Sequence, residues 1–353
     1  MPVLTRLIPS PVVVDIRGGA LADLSRLLAD QRISTSGKIA IAVSDGSGAR
    51  LRERLAPELP GAAWFPVAGG TIDAAVKLAD AMRGERYDAV VALGGGKIID
   101  ATKYAAARVG LPMVAVATNL SHDGICSPVS TLDNDNGRGS YGVPGPIAVV
   151  IDLDVIRAAP ARYVRSGIGD AVSNLSALAD WELSHRETGE RIDGLAAAMA
   201  RSAGEAVLRH PGTIADDDFL VTLAEGLVLT GIAMSISGDT RPSSGACHEI
   251  SHAFDLLHPQ RAATHGEQVG MGAAFAMHLR GARDASVLIA DTLRRHGLPV
   301  LPEEIGFSAR EFVEAVRFAP RTRPGRFTVL EHLDLSDTEI RDAYADYAKT
   351  ISS

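Results

Sequence analysis

From Val12 to Ile151 the apolar positions fall in short runs, and each run predicts a β-strand: Val12–Asp15, Lys38–Val43, Ala63–Val67, Ala89–Leu93, Met113–Ala117 and Ile147–Ile151. Between them, apolar residues recur at helical spacing over Ala20–Ala29, Gly48–Leu55, Ile72–Arg83 and Lys97–Arg108. That alternation predicts a largely parallel sheet flanked by helices. Leu132–Pro146 is rich in Asn, Asp, Gly and Pro and predicts a loop or hairpin, with Asn136-Gly137 as the turn.

Beyond about Pro160 the strand pattern stops. Helical periodicity fills Asp170–His185, Glu190–Arg209, Asp216–Ser237, Gly245–Leu257 and Gly266–Arg280, then Asp284–His296, Ser308–Phe318 and Ser336–Ile351. The chain therefore divides near Asp154–Pro160, into an α/β domain over 1–158 with a mainly parallel sheet and an all-α domain over 159–353. A length of 353 residues agrees with two cores.

Composition narrows the function. The net charge of -8 and pI near 5.7 argue against nucleic acid or an anionic membrane surface as a partner. No apolar run reaches the length expected of a membrane span, and the first residues do not form a secretory leader, so a cytoplasmic location is expected. Two cysteines, Cys126 and Cys247, make no disulfide framework or four-cysteine metal site.

Candidate chemistry gathers in four places. The run Gly94-Gly95-Gly96-Lys97 links the strand Ala89–Leu93 to a helix. Such a turn lets backbone amides approach a pyrophosphate, where the helix dipole favours negative charge; a ligand-free tight turn has the same composition. Asp45 ends the preceding strand, where a carboxylate accepts hydrogen bonds from a ribose and repels a 2′-phosphate, although Asp45-Gly46 is also an ordinary turn. The loop Thr118–Pro128 follows a strand and is dense in short polar side chains that suit a nicotinamide or substrate hydroxyls, or simply a surface loop. Finally, His248 and His252 stand one helical turn apart, with His265 before a glycine and Asp170 far upstream. Imidazole twice and carboxylate once, from separated segments, suit a catalytic divalent metal with an open position. Taken singly, Asp170 after Gly169 is a helix cap and the histidines are core residues.

Taken together, the segments GGGKIIDATKYAA, PMVAVATNLSHDGICSP, GIGDAVSNLSALADW, SGDTRPSSGACHEISHAFD and THGEQVGMG resemble the sn-glycerol-1-phosphate dehydrogenases, within the superfamily of iron-containing alcohol dehydrogenases, glycerol dehydrogenases and dehydroquinate synthases. The resemblance runs through most of residues 35–280 in consistent order. It implies a Rossmann-like N-terminal domain, a helical dehydroquinate synthase-like C-terminal domain, NAD(H) or NADP(H), and a divalent metal. It also implies a homodimer or higher homo-oligomer acting on a small phosphorylated ketone or polyol.

Position by position, the resemblance implies metal ligation by Asp170, His248 and His265. Gly94, Gly95 and Gly96, with Lys97, would meet the pyrophosphate, and Asp100, Thr118, Ser121 and Ser127 would surround the phosphates and nicotinamide. Asp123 would bind substrate, and His252 would stand beside the metal as a proton relay. Four-ligand iron members carry a histidine one turn after the aspartate. Here Asn174 stands there, on the substrate side, which implies three protein ligands and zinc, with nickel or iron as alternatives. Arg241 sits seven residues before His248, where dehydroquinate synthases place an arginine for substrate phosphate, and its planar fork suits that group.

The reaction implied is reversible reduction of dihydroxyacetone phosphate to sn-glycerol 1-phosphate. The competing readings are a dehydrogenase of an unphosphorylated polyol or alcohol, and a sugar-phosphate cyclase that uses NAD transiently.

Overall fold

The computed structural model describes residues 10–44, 47–135, 137–261 and 263–352. Among the described residues there are eight strands: β1 (Val13–Arg17), β2 (Ile39–Ser44), β3 (Ala63–Val67), β4 (Ala89–Gly94), β5 (Met113–Ala117), β6 (Val129–Asn134), β7 (Gly137–Gly142) and β8 (Ala148–Asp152). The first helices are α1 (Leu24–Leu28), α2 (Ser47–Leu55), α3 (Ile72–Met82), α4 (Gly96–Val109) and α5 (Leu153–Ala158). After them come α6 (Ala161–Thr188), α7 (Gly194–Arg209), α8 (Asp217–Ser237), α9 (Ala246–Leu257), α10 (His265–Leu279), α11 (Arg283–Arg295), α12 (Ala309–Phe318), α13 (Val329–Leu333) and α14 (Asp337–Ser352).

Two compact units result. One comprises the chain up to Asn119 with Gly124–Ala159; the other takes Leu120–Asp123 and the chain from Pro160 onward. In the first, six parallel strands run in the order β1-β8-β5-β4-β2-β3. Strands β4, β5 and β8 are buried at every residue, which is why they appear in the sequence as unbroken apolar runs rather than alternating ones. Pro66 is tolerated because β3 lies at the sheet edge. The chain leaves β2 toward β3 on one side and β4 toward β5 on the other, so the topology reverses between β2 and β4. In open α/β sheets, ligands bind beyond the strand ends at such a reversal. The segment Leu132–Pro146 forms most of an antiparallel β6–β7 hairpin; its turn residue Asn136 lies outside the described residues, as do Asp45 and Gly46.

In the second unit the sequence places α6 nine residues too far along. The helix begins at Ala161 after Pro160 and runs for 28 residues to a left-handed Gly189. Asp170 is therefore mid-helix and not an N-terminal cap. Gly167 and Gly169 depress helix propensity, but packing overrides it. Helix α8 departs from the absence of membrane-length runs expected above: by length and composition it is apolar enough to cross a membrane, and 61% of that stretch is buried within the protein. A core made by Leu178, Trp181, Ala196, Ala200 and Ala233 joins α6, α7 and α8.

Candidate functional site

In the sheet unit, β4 runs directly into α4 through Gly94 and Gly95, with Gly96 as the first helical residue. No side chain caps α4. A Cβ on Gly95 would lie 2.4 Å from the Asn119 amide nitrogen, and one on Gly94 would lie 2.7 Å from Ile98 Cβ. The turn thus keeps its backbone bare at the topological reversal. Lys97 is exposed beside it, and Thr118 donates its amide to Gly94 O at 3.0 Å.

Asp100 is buried and forms an ion pair at 2.9 Å with Lys103, whose side chain is completely buried. The Lys103 ammonium also donates to the carbonyls of Gly124 (2.9 Å), Ser127 (3.2 Å) and Val129, and reaches Ser127 Oγ at 3.5 Å. One buried cation therefore fixes the polar loop between β5 and β6. Its position inside α4 gave no sign of this in the sequence.

In the helical unit, α6 and α10 cross with almost no space between backbones. A Cβ on Gly169 would stand 2.0 Å from Gly266 O, and one on Gly266 would stand 1.7 Å from Ser166 O. A Cβ on Gly167 would meet Leu120 O at 2.0 Å. This contact sets Asp170 against His265. Thr264 caps α10 through a reciprocal box with Glu267, and Glu267 pairs with Arg162 of α6 at 2.7 Å, so the first helical residue, His265, has a fixed direction. Helix α9 is tied to α6 at its start, where Ala246 N donates to Asp180 Oδ2 at 2.8 Å. Asp180 also accepts from Val329 N (2.7 Å) and pairs with Arg280 (2.6 Å).

The crossing brings Asp170, His248 and His265 together, with their ligand atoms all within 4.8 Å. His265 Nε2 lies 3.2 Å from His248 Nε2 and 3.4 Å from Asp170 Oδ1. Atoms bound tetrahedrally to zinc at about 2.0–2.1 Å are separated by about 3.3–3.4 Å. The second Asp170 oxygen, Oδ2, accepts the Asp123 amide at 2.7 Å, whereas buried Oδ1 has no hydrogen-bond partner among the described residues. An orphaned carboxylate oxygen facing two converging imidazole nitrogens fits a divalent cation. Burial first, then the charges of His265, His252, Arg323 and Arg326, hold His248 well below the ordinary histidine range, in the neutral form that ligates. His252 stands beside it, ring centroids 6.4 Å apart and planes perpendicular. His122, which the sequence reading did not single out, lies with its ring centroid 6.2 Å from that of His265. Glu249, also not singled out, is fully buried; desolvation, then Glu331 and Asp180, raise its carboxyl to about 9.

Two expected substrate residues face other partners. The Asn174 amide donates to Thr230 Oγ1 at 2.8 Å and Ala200 O at 3.3 Å, locking α6 to α7 and α8. Arg241 is buried, and its fork is engaged by both Glu190 oxygens (2.8 and 2.5 Å), Phe327 O (2.9 Å) and Ser184 Oγ (3.3 Å). A guanidinium already paired bidentately has little left for a phosphate. Of the remaining expected residues, Ser121 is half-buried and Ser127 buried.

Residues 14–160 match the family model described as iron-containing alcohol dehydrogenase. Among curated proteins, the chain is 39% identical over 269 residues to the glycerol-1-phosphate dehydrogenase (NAD(P)+) of Hyperthermus butylicus, spanning 76% of each chain. It is 37% identical over 262 residues to the enzyme of the same name from Pyrococcus furiosus, 74% of this chain and 75% of that one. Among solved structures, a probable glycerol dehydrogenase from Sinorhizobium meliloti superposes with a TM-score of 0.78 at 21% identity, over 99% of this chain and 100% of the other, a likeness of fold.

Proposed function

The chain belongs to the glycerol-1-phosphate dehydrogenase family, and on that premise we propose that it catalyses reversible reduction of dihydroxyacetone phosphate to sn-glycerol 1-phosphate with NADH or NADPH and one divalent metal ion. The observation that carries the reading is the Asp170–His248–His265 cluster, its ligand atoms all within 4.8 Å, with a carboxylate oxygen that has no hydrogen-bond partner among the described residues. A divalent ion there supplies Lewis-acid polarisation of a carbonyl oxygen, and a nicotinamide supplies the hydride.

The chain's own residues do the remainder. The Asp123 amide orients Asp170, and the Thr264–Glu267 box aims His265. His252, beside His248, delivers the proton to the product oxygen, and Asp123 orients the substrate hydroxyl. Gly94, Gly95, Gly96 and Lys97 receive the pyrophosphate, while Thr118, Ser121 and Ser127 line the nicotinamide side, with Asp100 acting through Lys103. Residues 1–158 thereby serve as the dinucleotide-binding domain and 159–353 as the metal- and substrate-binding domain. Zinc as the ion, a cytoplasmic location and a homodimer or larger homo-oligomer belong to the same proposal and are supported by the family resemblance.

The test is a substrate panel on metal-reconstituted protein, with dihydroxyacetone phosphate, dihydroxyacetone and glycerol against both cofactors. Stoichiometric consumption of NADH or NADPH, fastest with dihydroxyacetone phosphate, is expected. Faster turnover of the unphosphorylated compounds, or turnover without net cofactor oxidation, contradicts the reading.

A further inference from the structure

The short segment between α12 and α13 carries Arg323 and Arg326 around Pro324 and Gly325, whose φ of +88° makes the tight turn that returns the chain on itself. The 3-10 turn just before it, Ala319–Thr322, packs on α9, and Thr322 Oγ1 donates to Glu249 O at 3.5 Å. The segment therefore lies along the helix that bears His248 and His252.

Both guanidinium groups converge on one hydroxyl. Arg323 Nη1 donates to Thr240 Oγ1 at 2.9 Å and Arg326 Nη2 to the same oxygen at 3.0 Å. Two like charges are thus held within two hydrogen-bond lengths of each other. Their compensation is unequal. Arg326 pairs with Asp239 at 2.9 Å and donates to Ser244 O. Arg323 makes no ion pair among the described residues, and its Nη2 and Nε have no protein acceptor there. Glu249, its carboxyl raised to about 9 by burial, accepts a hydrogen bond from Thr328 Oγ1 at 3.1 Å. Among the described residues, buried Arg241 is paired with Glu190 and half-buried Arg280 with Asp180, although Nε and Nη1 of Arg280 have no acceptor.

We propose that Arg323, supported by Arg326, binds the phosphate of the substrate, and that Arg241 does not. This rests on the chain being a reductase of a phosphorylated ketone. A half-buried fork with unused donors, beside a second guanidinium, is unfavourable alone and favourable once a dianion fills it bidentately. The turn that leads into Arg323 packs on α9, where Thr322 Oγ1 meets the carbonyl of Glu249, the residue next to His248. Burial, then the charge of Arg326, lowers the Arg323 guanidinium to about 10. Arg241, by contrast, acts as a strut joining the chain after α6 to the segment before α13.

The test compares kcat/KM for dihydroxyacetone phosphate with that for dihydroxyacetone in the metal-loaded wild type and in Arg323→Gln, Arg323→Lys and Arg241→Gln. In Arg323→Gln the ratio should fall by about 30-fold or more, the loss expected for one partner of a desolvated charge pair. Arg323→Lys should show a smaller fall, and Arg241→Gln should lose thermal stability while keeping the ratio. Inorganic phosphite should stimulate reduction of dihydroxyacetone by the wild type and not by Arg323→Gln. If Arg323→Gln fails to fold or to hold metal, Arg323→Lys alone decides, with about a tenfold fall expected. A wild type that prefers dihydroxyacetone phosphate, with a ratio unchanged in the Arg323 variants or lost only in Arg241→Gln, overturns the assignment and leaves the functional reading standing. A wild type that prefers dihydroxyacetone overturns the functional reading itself.

Discussion

Glycines do different work in the two units. At the β4–α4 turn, a Cβ would meet side chains: the Asn119 amide for Gly95 and Ile98 for Gly94. At the α6–α10 crossing, a Cβ on Gly169 or Gly266 would meet backbone carbonyls at 2.0 and 1.7 Å. The first arrangement holds a bare turn of backbone amides at a sheet reversal. The second removes the space between two helices so that residues about a hundred positions apart act as one cluster. The Asn119 side chain can swing aside, whereas Ile98 Cβ and a helix backbone cannot. The same substitution should therefore have different consequences in the two places.

The largest expected effect lies in the sheet unit and qualifies its apparent tolerance. Lys103→Met leaves Asp100 buried without its cation and empties the cage of carbonyls from Gly124 to Val129. Breaking such a buried pair costs about 3–5 kcal/mol, read as a lower denaturant midpoint, together with weaker dinucleotide binding. A loss below about 1 kcal/mol would mean that this loop is held by other contacts.

Next comes the glycine pair itself. Gly169→Ala should destabilise by about 3 kcal/mol, through overpacking that only a shift of α6 or α10 relieves, and should lower metal content as well. Gly95→Ala should leave metal content and unfolding midpoint nearly unchanged, because the Asn119 amide swings away, while the cofactor KM rises about tenfold. Metal loss in Gly95→Ala, or metal retention in Gly169→Ala, would break the comparison.

Mild acid should distinguish the units more gently. All ten histidines fall in the helical unit and none in the sheet unit. Among them, His296 stacks on Phe219 at 4.8 Å, and burial, then Arg295 and Arg165, lower it to about 4. The unfolded chain takes up this proton near pH 6.5, while the fold refuses it until about pH 4. This term therefore subtracts stability as pH falls through that window and is absent above it. His296→Gln should flatten the decline in unfolding midpoint between pH 6.5 and 4; an unchanged slope would assign the acid sensitivity to other groups.

How far the sequence foretold all this follows the same division. The sheet unit was legible because its elements are local: each strand is a contiguous apolar run, and the glycine turn sits between strand and helix on the page. Strand boundaries agree to within a residue or two. The metal cluster was legible only as residue types with an order, through family resemblance, because no spacing rule links Asp170 to His265. Helix α6 starts nine residues before the position its sequence pattern predicts, because Asp170 after Gly169 has the look of a cap, whereas Gly169 lies inside the helix at its crossing with α10. Arg241 and Asn174 stood at the expected offsets, yet an offset does not tell which neighbour a side chain meets. Lys103, His122, Asp180 and Arg323 went unnoticed because their importance comes from burial and partners that only the fold creates.

The central claim is that Asp170, His248 and His265 form the metal centre of a dehydrogenase. It is tested most directly by measuring bound divalent metal per chain in the wild type, Asp170→Asn and His265→Ala, alongside NADH oxidation on addition of dihydroxyacetone phosphate. The account predicts about one metal ion and turnover in the wild type, and loss of both together in each variant, because a site of three protein ligands tolerates little removal. Full metal occupancy with unimpaired turnover in either variant would contradict it.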